Sequence, residues 1–154
     1  NFDKTFRLKN KKDKHNGTDM LEIDNKRVRM LKQLIDDTGA KVVLSSGWRE
    51  GWRYRDLGNS VENFSVYLFN RLENYFKQCG IEFYGKTKVL GIERGKEILS
   101  WVKKCNEPIE SFVAVDDVAY DMEAVKDNFI HTSMKTGLLP CHIERAKQIL
   151  NSGN

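Results

Sequence analysis

Hydrophobic positions along this chain fall into two rhythms, and their alternation sets out the elements. After Asp24, Val28, Leu31, Leu34 and Ile35 recur at helical spacing, and Gly39 follows as a left-handed stop. The run Lys41-Val42-Val43-Leu44-Ser45 is unbroken and short, which predicts a buried strand ending in small polar residues, Ser45-Ser46-Gly47. From Ser60 the residues Val61, Phe64, Leu68, Leu72 and Phe76 predict a longer amphipathic helix ended by Gly80. Ile81 to Tyr84 predict a short strand running into a turn at Gly85-Lys86-Thr87. A helix is expected from about Arg94, with Ile98, Trp101, Val102 and Cys105 on one side and Pro108 at its exit. The run Phe112-Val113-Ala114-Val115 then ends abruptly in Asp116-Asp117, with Asp121 close behind. Phe129 to Thr132 predict a further strand, and Pro140 suits the first turn of a last helix carrying Ile143, Ala146 and Leu150. Strands alternating with helices at this spacing predict an α/β fold, a mainly parallel sheet covered by helices on both faces in a Rossmann-like three-layer sandwich.

Composition bounds this picture without changing it. At 154 residues the chain fits one domain with a substantial core. No apolar run approaches the roughly 20 residues of a membrane span and no signal-peptide pattern is present, so a cytoplasmic protein is expected. Cys79, Cys105 and Cys141 are odd in number and widely spaced, and are read as reduced packing residues. His15, His131 and His142 show no ligand spacing, and a surface role is expected for each. The net charge of +4 favours anionic partners. Its basic residues concentrate in Lys4, Arg7, Lys9, Lys11, Lys12 and Lys14, read as a solvated loop over residues 1–20. A second cluster, Trp48, Arg49, Trp52, Arg53, Tyr54 and Arg55, interleaves aromatic and basic side chains and is expected to form an anion-binding surface for phosphates and stacked bases.

Two strand ends carry the candidate chemistry. In a parallel sheet both open on the same carboxyl edge, where ligands bind. At the first, the Ser45 hydroxyl and the amides of Ser46 and Gly47 can donate to phosphoryl oxygens. At the second, Asp116, Asp117 and Asp121 suit Mg²⁺, a hard cation that takes carboxylate oxygens; alternatively they form a solvated turn in which Asp121 caps a helix. Between them in sequence, Arg94-Gly95-Lys96-Glu97-Ile98 places a cation at a helix start, able to clamp the same phosphate.

These residues resemble motifs II, III and IV of the haloacid dehalogenase-like (HAD) phosphohydrolases. The segments Lys41 to Arg49, Gly85-Lys86-Thr87, Arg94 to Ile98 with Trp101, Phe112 to Asp117 and Thr136-Gly137-Leu138 resemble more narrowly the HAD branch of RNA-repair proteins, which is similar to the phosphatase domain of polynucleotide kinase-phosphatases. The resemblance runs from about Leu21 to Leu150. It implies that Ser45 or Ser46 hydrogen-bonds the transferring phosphoryl group, that Gly47 and Arg49 contact substrate phosphate, and that Arg94 or Lys96 stabilises transition-state charge. It further implies Asp117 as the main Mg²⁺ ligand, with Asp116 and Asp121 completing or orienting the metal shell.

The family's nucleophile and its acid/base partner belong to a D-x-D-G motif at the end of a first strand, and that motif is absent here. The expectation is therefore that the sequence starts just downstream of that motif, that residues 1–20 are the basic flap following it, and that the HAD-like domain spans 21–154. The stretch between Ser45 and Arg94 holds one helix and one strand in this reading, so no large cap domain is expected. Three functions follow in order: an Mg²⁺-dependent phosphatase forming an aspartyl-phosphate, with nucleic-acid ends or nucleotides as substrate class; a non-catalytic module binding phosphate or RNA ends; and an α/β scaffold whose acids are structural.

Overall fold

The computed structural model describes residues 23–152. The basic loop expected over residues 1–20 lies outside them. The described chain runs α1 (Asn25–Thr38), β1 (Val42–Leu44), α2 (Arg49–Asp56), α3 (Phe64–Gln78), β2 (Phe83–Lys86), α4 (Arg94–Lys104), β3 (Ala114–Asp116), a 3₁₀ helix (Glu123–Asn128), β4 (Phe129–His131) and α5 (Pro140–Asn151).

Local chemistry explains most boundaries. The Asp24 carboxylate accepts from the Lys26 N–H at 2.9 Å and starts α1, and Gly39 ends it at φ 72° with its N–H on the Ile35 carbonyl. The helix expected from Ser60 starts later, because Asn63 caps it by accepting from the N–H groups of Ser65 and Val66. Val61 and Phe64 consequently face solvent, while Val66, Phe69, Leu72 and Phe76 form the buried stripe. Strand β2 lies about two residues beyond the expected one, so Gly85 and Lys86 pair with Val43 and Leu44 instead of turning.

Helix α2 is the element the patterning missed. The Trp48 to Arg55 stretch does not form an exposed aromatic and basic surface, which corrects that expectation. Trp48 and Trp52 pack against the core, Trp52 stacked on Phe69 with ring centroids 5.4 Å apart. Arg53 and Arg55 pair with Glu50 and Glu73, and Arg49 turns inward. Helix α2 meets α3 at Gly51, where an added Cβ would lie 2.0 Å from the Ser65 carbonyl oxygen, so only glycine permits this approach.

The sheet is likewise not continuous over the described residues. β1 pairs in parallel with β2, and β3 pairs in parallel with β4, as two separate two-stranded sheets. Among the described residues no strand pairs with the other edge of β1 or of β3. Between them lies a cavity of about 460 Å³, lined by Val42 and Val43 on one side and by Val113 to Asp116 on the other. Helices α1, α4 and α5 supply the rest of its mostly apolar wall. Leu44, Phe69, Leu72, Phe76 and Ile81 fill the core beside β1 and β2, while Leu34, Ile130, Ala146 and Ile149 fill that beside β3 and β4. No described helix is long and apolar enough to cross a membrane.

Candidate functional site

Strand β1 delivers Ser45 to the end of the first sheet, and the next residue of β2's course, Thr87, lies beside it. The Thr87 hydroxyl donates to Ser45 Oγ at 3.0 Å, and its N–H donates to the Leu44 carbonyl at 3.0 Å, extending the ladder past the strands. Arg49 enters from the first turn of α2. Its guanidinium donates to the Ser45 carbonyl, to Ser45 Oγ at 3.3 Å, to Thr87 Oγ1 at 3.1 Å and to Glu97 Oε1 at 2.9 Å. Arg94, opening α4, also donates to the Ser45 carbonyl, and its Nε lies 3.6 Å from the same Glu97 oxygen.

Glu97 is the residue the sequence reading did not select. It is 4% exposed, as is Arg49, and it holds both arginines while its second oxygen accepts the Leu90 N–H at 2.6 Å. A glutamate in the first turn of a helix reads as a dipole-favoured surface residue, so only the fold reveals this role. Two guanidiniums share one carboxylate here, leaving one positive charge in excess at the end of β1. Burial, and secondarily the neighbouring Arg49 charge, pulls the Arg94 pKa below its ordinary value, against the fields of Glu97, Asp121 and Tyr120. An anion beside these arginines would lessen that repulsion.

The sequence left two pairs of residues open. Ser45 reaches Thr87 and both arginines, whereas Ser46 is buried and its Oγ accepts the Trp48 N–H at 3.3 Å in the turn into α2. Arg94 joins the cluster, whereas Lys96 is exposed and makes no side-chain hydrogen bond or ion pair among the described residues. Gly47 is exposed with open space beyond its Cα, and the N–H groups of Ser46 and Gly47 meet no acceptor among the described residues. Those amides and the Ser45 hydroxyl are the donors available at the end of β1.

Strand β3 delivers the acids. Asp116 is buried, lines the cavity with Ser45, Ser46 and Thr87, and accepts the Val118 N–H at 3.0 Å, which tightens the turn after the strand. Asp117 is also buried, so the alternative of a solvated acidic turn fails at these two positions. Burial is the leading cause that raises the Asp117 pKa, partly offset by its own backbone N–H and by His131. The folded state therefore holds that proton more tightly than the unfolded chain, and stability declines as pH climbs from the ordinary carboxylate value through the raised one. Asp121 does not cap a helix. Its carbonyl accepts the Gly95 N–H at 2.9 Å, and its Oδ1 is buried with no hydrogen-bond partner among the described residues. An added Cβ at Gly95 would lie 3.2 Å from the Asp121 carbonyl oxygen, so this glycine lets the acidic segment approach the start of α4 and Arg94.

Among the described residues no three carboxylate, imidazole or thiol side chains gather into a complete metal shell. Buried Asp117 and half-buried Asp121, whose Oδ1 has no hydrogen-bond partner among the described residues, nonetheless fit Mg²⁺, which commonly takes one or two protein carboxylates and fills its octahedron with water and phosphate oxygens.

The histidines and cysteines take different places around this site. His131 is exposed, with Nε2 3.0 Å from the Asp117 carbonyl. His142 is not a plain surface residue: its Nδ1 accepts the Leu139 N–H at 2.9 Å and closes the first turn of α5. Cys79 and Cys105 are half-buried and Cys141 is exposed, all three reduced.

An α/β domain that gathers a serine, arginines and aspartates at the carboxyl ends of parallel strands has the layout of a HAD-like protein. The chain matches the family model described as the HAD domain in Swiss Army Knife RNA repair proteins over residues 5–143, and it belongs to that family. No curated protein and no solved structure matches it.

Proposed function

We propose that this domain is an Mg²⁺-dependent phosphomonoesterase acting on nucleic-acid ends or nucleotides. The observation that carries the reading is the shared Glu97 carboxylate, which holds Arg49 and Arg94 together on Ser45 and leaves excess positive charge there, with the Asp121 carbonyl tied to Gly95 beside Arg94. Ser45 and Asp116, at the ends of β1 and β3, line the same cavity, which supports pairing the two strand ends in one site. The family's association with RNA repair supports the substrate class.

In this reading Ser45 Oγ and the Ser46 and Gly47 amides orient the phosphoryl oxygens, and Arg49 and Arg94 stabilise the charge that builds on them. Asp117 and Asp121 hold Mg²⁺, which neutralises phosphoryl charge when bound. The attacking carboxylate comes from an extended segment seated between the open edges of β1 and β3, where parallel pairing on both sides would join the two sheets into one. That segment would complete a Rossmann-like sandwich. Its carboxylate oxygen bonds to phosphorus as the bond to the alcohol oxygen breaks and the alcohol takes a proton. Water then attacks the acyl phosphate, releasing orthophosphate and restoring the carboxylate.

The test is hydrolysis of a generic aryl phosphate by the full-length protein. Turnover should require Mg²⁺, stop on chelation, and fall by at least about 10²-fold in Asp117→Ala. Salt-sensitive RNA binding with no turnover would instead favour the non-catalytic module.

A further inference from the structure

The sequence pointed to Trp48, Trp52 and Tyr54 as the stacking surface for bases, and the fold places both tryptophans against the core. Another aromatic stands at the site. Tyr120 is 88% exposed and directly precedes Asp121, whose carbonyl is tied to the Gly95 N–H at the start of α4.

The loop between β2 and α4 also belongs to this rim. Thr87 at one end is bonded to Ser45 Oγ, Arg94 at the other is bonded to the Ser45 carbonyl, and the Leu90 N–H is held by Glu97 in between. Fixed at three points around the cationic cluster, this loop nevertheless exposes Val89, Leu90 and Ile92. Exposed apolar side chains scattered singly need no explanation, but three on one anchored loop, with an exposed aromatic beside the same arginine, mark a contact surface. Lys88 and Lys96 are exposed within and just after the loop, so the rim is apolar and cationic together. An exposed apolar and aromatic rim next to a cluster of two arginines is complementary to a nucleotide, with its base on the ring and its phosphate on a guanidinium.

We infer that Tyr120, with the Val89 to Ile92 loop, is a platform on which the terminal base of a single-stranded nucleic acid stacks while its end phosphate sits at Ser45, Arg49 and Arg94. This inference rests on the phosphoryl-site reading above and adds a specificity-determining residue to it. The platform makes the enzyme prefer a phosphate borne by a nucleoside over one borne by a featureless alcohol.

The experiment is fluorescence anisotropy with the full-length protein and labelled RNA hexamers carrying a 3′-phosphate, a 5′-phosphate or neither, with a further phosphorylated hexamer whose terminal nucleotide is abasic. Inorganic phosphate serves as competitor. Tyr120→Ala should weaken binding of the preferred phosphorylated hexamer about tenfold or more, and Tyr120→Trp should restore it. The abasic hexamer should bind the wild type as weakly as the intact one binds Tyr120→Ala, while competition by inorganic phosphate stays unchanged in both variants. Phosphate-dependent binding that is indifferent to Tyr120→Ala or to the missing base would overturn the platform and leave the phosphate site standing. Equal binding of phosphorylated and unphosphorylated hexamers, with no competition by inorganic phosphate, would remove the phosphate site and the platform with it.

Discussion

Glu97→Gln is expected to lower the free energy of unfolding by about 3–5 kcal/mol, because it strands a buried cation. The substitution keeps the size of the side chain and an acceptor for the Leu90 N–H, but removes the charge that Arg49 and Arg94 share. The Arg49 side chain is only 5% exposed, so without the Glu97 charge it would be left facing Arg94 with little help from water. Denaturant titration should show the midpoint falling at constant slope, as expected when stability changes without a change in compactness. Glu50→Gln supplies the contrast. Glu50 pairs with Arg53 on the surface of α2, where one exposed ion pair contributes about 0.2–1 kcal/mol. Comparable losses from the two substitutions would mean that the Arg49 to Glu97 pair is an ordinary surface contact.

The second large effect concerns turnover. Arg94→Ala is expected to reduce kcat by about 10²–10³-fold, the range for removing one preorganised donor from developing charge, whereas Lys96→Ala should change it only a few-fold. The reason is positional: Arg94 is bonded to the Ser45 carbonyl beside Arg49, while Lys96 is exposed on another face of the same first turn. Steady-state kinetics on an aryl phosphate measures both, and the reverse order would move the transition-state cation to Lys96.

How much of this was legible in the sequence depended on whether the signal was local. Helix α1 was readable at both ends, since Asp24 and Gly39 act on backbone groups within a few residues of themselves. The runs that became β1 and β3 were readable because a buried parallel strand needs apolar side chains on both faces. Helix α2 was not readable: Trp48 is a poor cap, and the aromatic and basic residues that follow gave no clear periodicity. Its identity depends on Trp52 finding Phe69 and on Gly51 meeting Ser65, contacts no local pattern encodes. The start of α3 was misplaced because both Ser60 and Asn63 are competent caps, and tertiary packing selected Asn63.

The site divided along the same line. Ser45, Asp116 and Asp117 announced themselves by standing at the ends of apolar runs, where side chains emerge from the core at the sheet edge, whereas Arg49 stood in the aromatic and basic cluster that follows. Choosing Arg94 over Lys96 required the fold, because a shift of two positions on a helix turns a side chain to another face. Glu97 required it even more, since its partner is 48 positions away in sequence. Tyr120 was passed over for the opposite reason: the tryptophans offered larger rings, and burial removed them from consideration.

On the proposed reading, the arginine cluster at the end of β1 and the aspartates after β3 bind an anion and a divalent cation together as one site. Isothermal titration of inorganic phosphate into the full-length protein, with and without Mg²⁺, decides whether they do. Linkage requires that each ligand change the affinity of the other by the same factor, and two opposite charges held at one site should give at least about fivefold mutual tightening. Asp117→Ala should abolish that coupling while leaving weak phosphate binding, and Arg94→Ala should weaken phosphate binding itself. Phosphate affinity that is independent of Mg²⁺, or coupling that survives in Asp117→Ala, would show that the two strand ends do not serve one reaction.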